Sequence, residues 1–119
     1  MPLDDIEPGV LKFVDEYIDS FVAWDAIAYF HENPDAERKA RGVALDIGRS
    51  PEQVVPVLEV LRDKGVLSDD SEGGDEPSYK YSAPESFREA TEAFLSATRD
   101  RTNRLAIVGK VLQKESRRR

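Results

Sequence analysis

The side chains best suited to chemistry in this 119-residue chain are a run of bases and amides, and the chemistry open to them is contact with phosphates and base edges. Arg38, Lys39, Arg41 and Arg49 can each donate to phosphate oxygens, Ser50 offers a hydroxyl beside them, and Gln53 has the paired donor and acceptor that match an adenine edge. Bond-making chemistry is absent from the pattern. The chain has no cysteine and one histidine, and it contains no nucleophile elbow, phosphate loop or dinucleotide fingerprint. We therefore expect no enzyme, no cofactor and no metal site. His31 falls at the end of a helical stretch, where an imidazole suits the helix's negative end. The acidic segment Asp69–Glu76 lacks the spacing of a calcium loop and reads as a solvated turn.

The elements that hold these residues carry strong local signals. Between Ala36 and Leu67 the sequence reads as two short helices joined by a tight turn and closed by a strand, a helix-turn-helix. Gly48-Arg49-Ser50 makes the turn, with Ser50 as N-cap, Pro51 at the first helical position and Gln53 at the third. The second helix runs to about Lys64. It buries Val54, Val57, Leu58 and Leu61, and Gly65 supplies a left-handed stop. Pro56 should kink it. Ala40, Val43, Ala44 and Ile47 mark the inner side of the preceding helix, which Gly42 and the poor cap at Lys39 leave dependent on packing.

Upstream, Pro8 opens a helix in which Val10, Phe13, Val14, Tyr17, Ile18 and Phe21 recur at helical spacing. Ser20 either caps a second helix or marks a bend, and Trp24, Ile27, Ala28 and Phe30 suit burial before Asn33-Pro34 ends that stretch. A very short strand fits between Pro34 and Lys39. Downstream, Tyr79-Lys80-Tyr81 alternates as a strand would, with one tyrosine expected to pack and the other to face solvent. Paired with the strand that begins at Val66 and Leu67, it makes a small wing. From Pro84 a helical seam runs through Phe87, Thr91, Phe94, Thr98, Arg101, Leu105, Val108 and Leu112, with a break near Asp100. The chain thus divides into an N-terminal helix over 1–19, a three-helix core with a wing over 20–83, and a helical extension over 84–119 that ends in a basic tail. Phe87, Phe94, Leu105, Val108 and Leu112 exceed what a small core covers, so the extension is expected to form a homodimer.

The net charge of −7 is unevenly spread. Residues 1–35 are net −8, residues 36–67 net +1, residues 68–83 net −4 and residues 84–119 net +4. The N-terminus is acidic and lacks the features of a secretion signal, and no apolar run approaches the ~20 residues that span a bilayer. A cytoplasmic protein without a membrane partner is expected.

The order helix, helix, helix, strand, wing, strand and long C-terminal helix resembles the winged helix-turn-helix proteins of bacteria, of which MarR-type and ArsR-type repressors are the best known. The likeness covers residues 20–83 and rests on Ala44, Ile47, Gly48, Ser50, Pro51, Leu58, Leu61, Gly65 and Leu67, with Tyr79 and Tyr81 on the returning strand. It implies a mainly α winged-helix fold, a dimer, and a DNA-binding transcriptional regulator that places Pro51–Lys64 in the major groove of double-stranded DNA. The surface departs from that pattern. Glu52, Gln53, Pro56, Glu59 and Asp63 face outward on the recognition helix, with no arginine or lysine among them. The wing would set Asp69, Asp70, Glu72, Asp75 and Glu76 beside phosphates, against the electrostatics that drive duplex binding. Val55 and Val60 are surplus to the core face. The alternative is therefore a winged-helix module that binds a protein partner and no DNA.

Overall fold

The computed structural model describes residues 6–70 and 76–117. Arg118 and Arg119 of the expected basic tail, and Glu72 and Asp75 of the acidic segment, lie outside the described residues. The fold is mainly α. The described residues form six helices, α1 (Pro8–Tyr17), α2 (Phe21–Glu32), α3 (Ala40–Ile47), α4 (Pro51–Asp63), α5 (Glu85–Ala97) and α6 (Arg101–Arg117), and three short strands, β1 (Glu37–Lys39), β2 (Leu67–Asp70) and β3 (Ser78–Tyr81). The sheet is antiparallel in the order β1-β3-β2, with Arg38 opposite Tyr79 and Leu67 opposite Tyr81.

Local chemistry sets the boundaries. Ser20 does cap α2, its hydroxyl accepting from the Ala23 amide at 3.1 Å. Gly48 ends α3 at φ 72° and Gly65 follows α4 at φ 83°, both in the left-handed region that glycine adopts without a Cβ penalty. The expected kink at Pro56 does not interrupt α4. The proline ring faces solvent there, so only one backbone hydrogen bond of the second turn is lost. Gly42, a weak point in sequence terms, has a packing role: a Cβ there would meet the Arg38 guanidinium at 2.8 Å. The glycine lets Arg38 lie across α3 and donate to the Gly42 carbonyl at 3.2 Å.

Both strand tyrosines are buried, which corrects the expectation that one would be exposed. Residues two apart on a strand share a face, so Tyr79 and Tyr81 turn inward together while Lys80 between them points out. The break near Asp100 is present, and the Asp100 carboxylate accepts from the Asn103 amide at 2.9 Å to start α6.

The seam expected along the C-terminal helices divides between two roles. Phe87 and Phe94 are buried inside the chain and cannot serve a dimer. They close an aromatic cluster against α1 and α2, with Phe13 5.4 Å from Phe87 and 5.3 Å from Phe94, and Trp24 edge-on to Phe94 at 5.0 Å. Thr91, fully buried between them, donates to the Phe87 carbonyl at 2.8 Å. On α6 the core-facing residues are Ile107 and Val111, leaving Leu105 and Leu112 exposed and Val108 half-buried.

A polar clasp fixes α6 to the corner between α1 and α2. Lys114 donates to the Val14 carbonyl at 2.6 Å and the Asp15 carbonyl at 2.9 Å, and pairs with Asp19 at 3.0 Å. Glu115 accepts from the Phe21 amide at 3.0 Å, and Lys110 meets Asp15 at 2.9 Å. A cation thus sits at the carbonyl end of α1 and a carboxylate at the amide end of α2, the arrangement that both helix dipoles favour. Lys114→Met should lower stability by about 1–2 kcal/mol, since carbonyls at the end of α1 lose a charged donor. Urea unfolding checks this against Lys12→Met, an exposed α1 lysine that should cost less than about 0.5 kcal/mol.

Candidate functional site

Of the residues singled out in the sequence, Arg49 and Ser50 lie in the turn between α3 and α4, Gln53 in the first turn of α4, Arg41 on α3, and Arg38 and Lys39 on β1. Ser50 and Gln53 form a reciprocal capping box: the Gln53 amide donates to Ser50 Oγ at 3.3 Å, and the Ser50 amide donates to Gln53 Oε1 at 3.2 Å. This satisfies two amides at the start of α4. It also occupies the carboxamide oxygen that an adenine contact would use.

The arginines are paired with carboxylates of their own chain. Arg49 turns back onto α2, where Nε and Nη2 reach the same Asp25 oxygen at 3.0 and 2.8 Å. Arg38 meets Asp46 at 3.0 Å, and Asp46 also accepts from the Tyr29 hydroxyl at 2.8 Å. Burial, reinforced by the Asp46 carboxylate, raises the Tyr29 hydroxyl pKa. Arg41 meets Glu76 at 3.2 Å, and Arg62 bridges Asp63 and Asp69 at 3.2 and 3.1 Å. Lys39 alone of the candidate bases has no ion-pair partner among the described residues. Each surface pair is individually weak. Together they remove most of the positive field that the sequence assigned to this edge, because a phosphate would have to displace a resident carboxylate from every arginine.

The outer face of α4 is acidic with apolar flanks. Glu52, Pro56, Glu59 and Asp63 follow one another at four-, three- and four-residue steps and are all exposed. Val55 lies on one side of this ridge and Val60, 45 % exposed, on the other. Beside Val60 runs a shallow groove of about 70 Å³ lined mainly by Ala23, Pro56, Val57 and Leu61, with Asp19 and Lys64 also in its lining. The Tyr79 hydroxyl behind α4 has its pKa raised by burial and then by the charge of Glu59.

Several of these features were not read from the sequence. Leu45 is 79 % exposed on α3, where the inward positions Val43, Ala44 and Ile47 leave it facing out. The carboxylate partners Asp25 and Asp46 carry no motif, since Asp25 meets Arg49 only through packing of α2 on the turn. His31, on α2, contacts Glu92 of α5 at 2.9 Å, a link between helices. Tyr17 and Trp24 are half-buried and Phe30 fully buried, as core residues would be. Among the described residues no helix is long and apolar enough to cross a membrane. Comparison of the chain with models of known families, with curated proteins and with solved structures yields no match.

Proposed function

We propose that this chain is a winged-helix interaction module whose α4 face binds a basic, apolar-anchored segment of a protein. The order α2-β1-α3-α4-β2-β3, with its three-stranded antiparallel sheet, supports the winged-helix reading. The observation that carries the function is the charge of the site: Arg38, Arg41, Arg49 and Arg62 are neutralised within the chain, whereas Glu52 and Glu59 have no ion-pair partner among the described residues. A groove of DNA would bring phosphates against this ridge. A protein segment with lysine or arginine beside leucine would instead satisfy the acids and cover Val55 and Val60. The DNA-binding transcriptional regulator is the competing reading, and it draws on Lys39 and on arginines that would have to leave their carboxylates.

One pair of substitutions separates the two. Fluorescence anisotropy at ~50 mM salt, where surface electrostatics are weakly screened, should detect binding of a labelled amphipathic peptide of lysine and leucine and none of a random DNA duplex. Combining Glu52→Gln with Glu59→Gln should weaken peptide binding by about 3- to 10-fold. Duplex binding that the same changes strengthen would establish the regulator reading instead.

A further inference from the structure

We infer that the basic segment received by α4 is α6 of a second copy of this chain, an inference that rests on the reading of α4 as a protein-docking face. The two helices present opposite surfaces. On α6, Ile107 and Val111 turn inward, and the opposite side carries Leu105, Val108 and Leu112 at three- and four-residue spacing, with Leu105 61 % and Leu112 53 % exposed. Arg101 and Arg104 border this stripe in the first turn, exposed and without an ion-pair partner among the described residues. That turn contains no acid. Two cations at the amide end of a helix oppose its dipole, and the Asp100 carboxylate beside them is engaged with the Asn103 amide.

Pairing two α6 stripes with each other sets like against like. The helix carries Arg101, Arg104, Lys110, Lys114 and Arg117 against the single acid Glu115, and Lys110, Lys114 and Glu115 are already engaged with α1 and α2. The α4 face has the complementary pattern of unpaired carboxylates, exposed valine and an apolar groove. Laid along α4, a second copy's stripe would set its leucines over Val60 and the groove, and its two arginines against Glu52 and Glu59. Apolar and charged parts of the contact then match together, as they do not in the symmetric pairing. Every copy offers both faces. Two such contacts related by a two-fold axis close a dimer, and contacts that do not close build rings or chains. One helix crossing another buries less than a standard interface, so association in the range of about 10–100 µM is expected.

Sedimentation equilibrium of the full chain across that range at low salt tests the docking directly. The wild type should self-associate, and added salt should weaken it. R101E/R104E and E52K/E59K should each weaken association by about tenfold or more, and the chain carrying all four changes should recover it, since the charges are exchanged rather than lost. All of these positions are exposed, and circular dichroism melts confirm that each variant folds. Association strengthened by R101E/R104E and unaffected by E52K/E59K would overturn the inference in favour of a symmetric α6 pair. A monomer throughout also overturns it: if that monomer binds the lysine and leucine peptide, the reading of α4 stands without self-docking, and if it does not, both fall.

Discussion

Leu58→Ala and Leu61→Ala should each lower the unfolding free energy by about 2–5 kcal/mol, while Glu59→Ala between them should change it by less than about 0.5 kcal/mol. Leu58 and Leu61 are buried on the inner side of α4, in the core cluster that also contains Val43, Ala44 and Ile27. Each truncation removes transfer free energy and leaves a cavity that α4 can close only by leaving α2 and α3. Against a typical domain stability of about 5–15 kcal/mol, either change takes a large share. Thermal melts monitored by circular dichroism measure the effect. Unchanged midpoints for both leucines, or a large loss at Glu59, would mean that α4 is rotated from the phase described here, and the acidic ridge would then not face outward.

The same phase is what the sequence made most legible. Ser50, Pro51, Gln53 and Gly65 mark the ends of α4 through interactions within a few residues, and Val54, Leu58 and Leu61 recur on its inner side, so neighbouring residues suffice to place it. The turn at Gly48, the cap at Ser20 and the break at Asp100 are local in the same sense. Interactions across the chain were not legible. Lys114 reaches the end of α1 from 99 and 100 residues away, and Glu115 the start of α2 from 94; neither has a sequence signature. The misreading of the C-terminal seam has that cause. A heptad-like stripe through Phe87, Phe94, Leu105 and Leu112 is continuous only if one helix runs through it, and the break at residues 98–100 re-phases α6 so that Ile107 and Val111 turn inward.

The candidate site was half legible for a related reason. The types of its residues are plain in the sequence, and the lack of any base on the outer face of α4 was visible from helical spacing alone. What spacing could not give is the state of the bases around it. Arg49, in the turn, and Asp25, on α2, are 24 residues apart, and Arg41 and Glu76 are 35 apart. A patch counted as positive by its arginines is close to neutral once their partners are included, and the proposed protein-docking reading rests on that difference.

Phe94→Ala should cost about 3–5 kcal/mol, a loss of the size expected for emptying an aromatic site in a core. Phe94 is wholly buried where α1, α2 and α5 meet, tilted against Phe13 and edge-on to Trp24. Its removal takes away both the buried area and two ring contacts. The sole tryptophan of the chain lies 5.0 Å from the lost ring, so intrinsic fluorescence should change in the native state as well as at the unfolding transition. Leu105→Ala, on the exposed stripe of α6, should leave the monomer's unfolding free energy within about 0.5 kcal/mol. Measured at low micromolar concentration, below the range expected for self-association, the two variants separate the roles once assigned to a single seam. An unfolding free energy for Phe94→Ala close to that of the wild type, with native fluorescence unaltered, would return Phe94 to the surface and break the packing of α5 against α1 on which the rest of the fold depends.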